Sequence, residues 1–143
     1  MTSKSTINKF IKSQKSIQYY KNVQRALKEV LLRLSNKEYK KATNNLILMV
    51  LHEGALGQVM HFKQKNNFKI MQLTIPKRIP KNVLKYLIAH ELGHVMQGQN
   101  WKKRDGLKLE KDANNFAKKI GFEETKLIFD WIKKHKNKRN KSL

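Results

Sequence analysis

Between Pro80 and Gly98 the apolar residues Val83, Leu84, Leu87, Ile88, Leu92, Val95 and Met96 recur at spacings of three and four. That period predicts an amphipathic helix from just after Pro80 to near Gly98. The whole chain has 143 residues, enough for one domain with a single core around such a helix. At 39% hydrophobic it has the material to fold. It contains no cysteine, which excludes a disulfide scaffold, a thiolate zinc finger, an iron–sulfur cluster and a cysteine nucleophile. Any metal site must therefore be built from His, Asp and Glu.

The period changes along the chain. Residues 1–16 are rich in Ser, Thr and Lys, with Ile7, Phe10 and Ile11 at helical spacing. They read as a frayed amphipathic helix or a basic arm, and a flexible arm outside the domain is expected. Residues 19–39 carry Val23, Ala26, Leu27, Val30, Leu31 and Leu34 on one face and predict a helix. Three short apolar segments follow, at 46–51, 57–62 and 68–75, separated by Gly- or Asn-rich turns. They suggest an antiparallel meander, although the first is equally open to a helix. Pro76 and Pro80 close the last segment, because proline cannot donate to a ladder. After the Pro80–Gly98 helix, Asp105-Gly106 marks a turn, and a helix over 108–120 stops at Gly121. A closing helix begins near Glu123 and docks through Leu127, Ile128, Trp131 and Ile132 before giving way to a basic tail, 133–143. The expected fold is α+β, with the compact domain over 17–132.

The chemistry sits in His90-Glu91-Leu92-Gly93-His94. On a helix, positions i and i+4 share a face, so both imidazoles can reach one metal ion. Glu91 lies about 100° round the helix, beside the ligands, where a carboxylate can handle a metal-activated water. In a chain with five His, about 0.01 such patterns arise by chance. Two histidines leave the site incomplete, since catalytic zinc takes three protein ligands and a water. The remaining donor must be an acid or a distant His, and Glu110 stands out at the start of the next helix. That helix turns Ala113, Phe116, Ala117 and Ile120 inward. His52 and Glu53 read as a hairpin end, His61 as a half-buried histidine, His135 as solvated, and Met96 and Trp101 as packing.

Ala89 to His94, with the run from Glu110 through Ala113 and Asn114 to Phe116-Ala117, resembles the gluzincin zinc metallopeptidases. The pattern is similar to that of the small minigluzincins and the ImmA/IrrE-type family, over roughly 68–121. The resemblance implies zinc held by His90, His94 and Glu110, with Glu91 as general base. The family's acid behind the first histidine maps onto Asn114, a departure that removes a charge but keeps a hydrogen-bond acceptor. A Tyr or His that stabilises the oxyanion is also implied, and Tyr86, His61 and His135 qualify by residue type. Finally, the resemblance implies a substrate peptide that adds to an edge strand, a place that 68–75 would fill.

Charge adds a second expectation. The chain carries 32 Lys+Arg against 10 Asp+Glu, a net +22. Residues 1–28 hold seven cations and residues 131–143 hold six, with no acid in either. The basic ends suit a nucleic acid or another polyanion, bound nonspecifically because Lys is a point charge. The expected function is thus a zinc metalloendopeptidase acting on a protein or peptide, possible partners including a regulatory or nucleic-acid-associated protein. The alternative is a nucleic-acid-binding or structural protein whose zinc site lacks peptidase activity. The terminal segments are also candidates to inhibit the site by covering it. No secretory signal pattern or membrane-length apolar run is present, which predicts an intracellular, cytoplasmic protein, with targeting by the amino-terminal segment the other option.

Overall fold

The helix expected after Pro80 is the centre of the molecule. The computed structural model describes residues 1–51, 54, 56–62, 67–98 and 105–141, the last five by backbone alone. The described elements are helices α1 (Lys4–Ser13), α2 (Lys21–Leu31) and α3 (Asn36–Thr43), then strands β1 (Leu46–Leu51), β2 (Gly57–His61) and β3 (Lys69–Thr74), then helices α4 (Lys81–Gln97), α5 (Gly106–Lys119) and α6 (Lys126–Lys141). This is the expected α+β layout. His52, Glu53, residues 63–66 of the expected turn and Trp101 lie outside the described residues.

The amino-terminal segment is not the arm it was expected to be. Ser3 caps α1 by accepting from the Thr6 N–H, and the helix buries Ile7 and Ile11 in the main core. A 3-10 turn at Lys15–Ile17 then adds Ile17 to the same core. Gln14 is buried between them, and both ends of its amide are used: Nε2 donates to the Leu46 carbonyl at 3.0 Å and Oε1 accepts from the Leu48 N–H at 2.9 Å. Ser16 Oγ accepts from the Val50 N–H at 3.0 Å. These side chains occupy the outer edge of β1 as a neighbouring strand would, and so satisfy backbone groups that burial leaves without water. The Lys residues of 1–16 face solvent while the apolar stripe faces in.

The helix expected over 19–39 is two helices. The apolar stripe of α2 ends at Leu31, and Ser35 starts α3 with a capping box: its side chain accepts from the Glu38 N–H, and the Glu38 carboxylate accepts from the Ser35 N–H.

The strands form one mixed sheet in the order β1-β3-β2. β3 pairs antiparallel with β2, in the register Val59 opposite Met71, and parallel with β1, with Leu48 opposite Met71. The antiparallel arrangement therefore holds for β2 and β3 only. The chain leaves β1, forms β2 one strand-width away, and returns with β3 in the gap between them. The β3 strand, expected to be the edge where a substrate would pair, is the central strand and has no free ladder. Since the edge of β1 is taken by Gln14 and Ser16, the open edge among the described residues belongs to β2.

Helix α4 is buried on nearly every side, from Val83 through Val95. Gly98 ends it with φ +67°, a conformation that costs glycine little. Asp105 caps α5 through the Leu107 N–H, and Gly121 closes it at φ +99°. Antiparallel to α4, α5 lies close: a Cβ built on Gly93 would sit 2.8 Å from the Ala113 Cα and 3.0 Å from its carbonyl oxygen. Ala89 and Ala117, one turn away on each helix, are fully buried as well. The closing helix docks through Ile128, with Trp131 and Ile132 half-buried, as expected. Leu127, expected in that stripe, instead faces solvent. Helix α6 does not dissolve at 133 but continues to Lys141. No described helix is long and apolar enough to cross a membrane.

Candidate metal centre

The close approach at Gly93 decides the geometry of the site. It brings Glu110, one turn before Ala113, over the histidines of α4. Glu110 Oε2 lies 3.1 Å from His90 Nε2, Glu110 Oε1 lies 3.1 Å from His94 Nε2, and the two Nε2 atoms are 3.1 Å apart. Among the described residues, this is the one set of three His, Asp or Glu whose donor atoms converge, all within 4.8 Å of one another. His90 is buried, His94 half-buried and Glu110 exposed, so the site opens to solvent on the α5 side.

The other ring nitrogens reveal what kind of ion the centre can take. His90 Nδ1 lies 2.7 Å from Asn114 Oδ1, and His94 Nδ1 lies 2.9 Å from Gln97 Oε1. An amide oxygen only accepts, so each Nδ1 carries a hydrogen and each ring turns its Nε2 towards Glu110. Two ring nitrogens and a carboxylate thus face one another at 3.1 Å. The residues fit a divalent metal: His₂Glu is a donor set typical of zinc, and each histidine is held from behind through its second nitrogen. The group can hold a metal ion.

Protonation follows the same electrostatics. Hydrogen bonds from His90 and His94 hold the Glu110 carboxyl far below the usual range, although partial burial opposes them. For His94, burial disfavours the charged ring, but the bonds to Glu110 and Gln97 outweigh it and raise the pKa.

Glu91 is not a member of the converging set. It is buried beside it, and burial raises its carboxyl, against the opposing pull of His90 and His94. Among the described residues its Oε2 has no hydrogen-bond partner. A buried carboxyl oxygen without a protein partner is costly, and a water or ligand bonding there would relieve that cost. Gly57 of β2 makes room for this side chain, since a Cβ there would lie 2.7 Å from both Cγ and Cδ of Glu91. Gly57, the first residue of the edge strand β2, thus lies against the carboxylate.

All four residues singled out in the sequence, His90, Glu91, His94 and Glu110, meet here, and Asn114 stands behind His90 as expected. The candidates for oxyanion stabilisation are engaged elsewhere. Tyr86 donates to Asn114 Oδ1 at 2.6 Å, and burial pushes its phenol well above the ordinary range, aided by Glu124. His61 donates from Nε2 to the His94 carbonyl at 3.1 Å, joining the far end of β2 to the end of α4. His135 stacks on Trp131 with ring centroids 3.7 Å apart and bonds the Trp131 carbonyl, so it is not simply solvated. Gln97 and Gly57 escaped the sequence reading. Gln97 follows His94 by three residues, the spacing of side chains that meet on a helix, and that was the available signal.

Comparison with family models, with curated proteins and with solved structures finds no match to this chain. The α+β domain and a His–His–Glu group able to hold a metal ion are therefore what characterises it.

Proposed function

We propose that this protein is a zinc-dependent metalloendopeptidase of the gluzincin type. The observation that carries the reading is the convergence of His90, His94 and Glu110 beside the buried Glu91 carboxyl group. Zinc held there would lower the pKa of a water towards neutrality and polarise the carbonyl of a peptide bond. Glu91 would take one proton from the attacking water as the water oxygen bonds the peptide carbon. It then returns the proton to the nitrogen as the C–N bond breaks. Burial raises the Glu91 carboxyl above its ordinary range, which favours its holding a proton during the reaction. The β2 edge supplies the orientation: an extended peptide pairing with Gly57–His61 would lie alongside Glu91, with backbone hydrogen bonds holding it in register.

Two observations favour a second reading, a nucleic-acid-binding or structural protein whose zinc site has no peptidase activity. Asn114 stands where the resemblance places an acid, and the surface carries a net +22. One experiment separates the two. The zinc-loaded protein is incubated with a library of extended fluorogenic peptides, with and without a chelator. Cleavage that falls at least about tenfold on chelation and returns with zinc is the expected result. Cleavage unaffected by the chelator would refute metal-dependent hydrolysis, and tight zinc binding with no cleavage of any peptide would favour the second reading.

A further inference from the structure

Gln97 is the last residue of α4, and its side chain reaches in two directions. Its Oε1 lies 2.9 Å from His94 Nδ1, while its Nε2 donates to the Leu109 carbonyl at 2.8 Å. Leu109 directly precedes Glu110. The second bond orients the first: a carbonyl can only accept, so the amide NH₂ must face Leu109 and the amide oxygen must face His94. An oxygen there requires a hydrogen on Nδ1, which leaves the lone pair on Nε2, the atom 3.1 Å from both His90 Nε2 and Glu110 Oε1. A single amide thereby selects the tautomer of His94 and ties it to the backbone beside Glu110.

From this geometry we infer that Gln97 is the positioning residue of the metal centre, acting chiefly by holding His94 in its ligating tautomer. The inference rests on the reading of His90, His94 and Glu110 as metal ligands. His90 has the equivalent arrangement in Asn114, whose Oδ1 accepts from both His90 and Tyr86. Both imidazoles are thus backed by neutral amides. A carboxylate in either place would add a negative charge to the site and make the ring a stronger donor.

The test is the zinc affinity of the full-length, chelator-stripped protein, measured by competition with a chromophoric chelator. Gln97→Ala removes both bonds and is expected to weaken zinc about 10- to 100-fold. Gln97→Glu keeps an acceptor for His94 Nδ1 but has no NH₂ for Leu109. It is expected to bind within about threefold of the native protein or more tightly. A role limited to tying the two helices together predicts that both variants weaken alike, and that result would overturn the inference. Native affinity in Gln97→Ala would overturn it too. If the native protein takes up no zinc, the reading of the three ligands fails first, and that outcome differs from either of these.

Discussion

Replacing Gly93 with alanine is expected to weaken zinc binding at least about tenfold and to lower the melting temperature of the metal-free protein by about 3–6 °C. On propensity alone the substitution stabilises a helix, by about 1 kcal/mol. Here the added Cβ meets the Ala113 backbone at 2.8–3.0 Å, and backbone cannot swing aside as a side-chain tip can. Overpacking of this kind costs about 1–3 kcal/mol, enough to cancel the propensity gain and exceed it. Relief requires α5 to move away from α4, and that movement carries Glu110 and Asn114 off His90. Stability and metal affinity should therefore fall together, read by calorimetry and zinc competition on the same samples. An alanine variant with native affinity and native melting temperature would show that the close helix approach does not assemble the site.

A Glu91→Gln variant is expected to lose about 10²- to 10⁴-fold in turnover while keeping its zinc. The side chain lies outside the converging donor set, so removing its charge subtracts no ligand. Glutamine has nearly the same volume and fits the space that Gly57 leaves, so the packing against β2 survives. What it lacks is an oxygen able to take a proton from water. Turnover of the best peptide substrate, with metal content measured on the same preparation, checks both halves. Undiminished turnover would remove Glu91 from the proton-transfer role, and parallel loss of zinc would make it a ligand.

Much of the site was legible because helical periodicity converts spacing into a shared face. His90 and His94 needed only a helix beneath them, and the apolar residues from Val83 to Met96 supplied it. Glu110 emerged because a chain without cysteine has few donors left. The contact that joins the two helices was written in small residues, Ala89 with Gly93 and Ala113 with Ala117. Its closeness, though, is a property of the packed pair. Ser35 and Glu38 spelled a capping box, so the division of the 19–39 helix was open to view and overlooked. The strand order was not. Local alternation specifies strands but not neighbours, and the position of β3 between β1 and β2 is settled by packing on α4. Gln14 was hidden for the same reason, since a buried glutamine declares itself only when the strand edge it satisfies is in place. The charge of residues 1–16 suggested an arm, while Ile7, Ile11 and Gln14 fold that segment into the core. That places its lysines on the surface of the domain.

The central claim is that His90, His94 and Glu110 hold one divalent ion, and titration of the chelator-stripped protein with zinc tests it most directly. The native protein should bind one equivalent per chain, and Glu110→Ala should bind zinc too weakly to retain it through gel filtration. Failure of the native protein to bind zinc, or a full equivalent retained by Glu110→Ala, would contradict it.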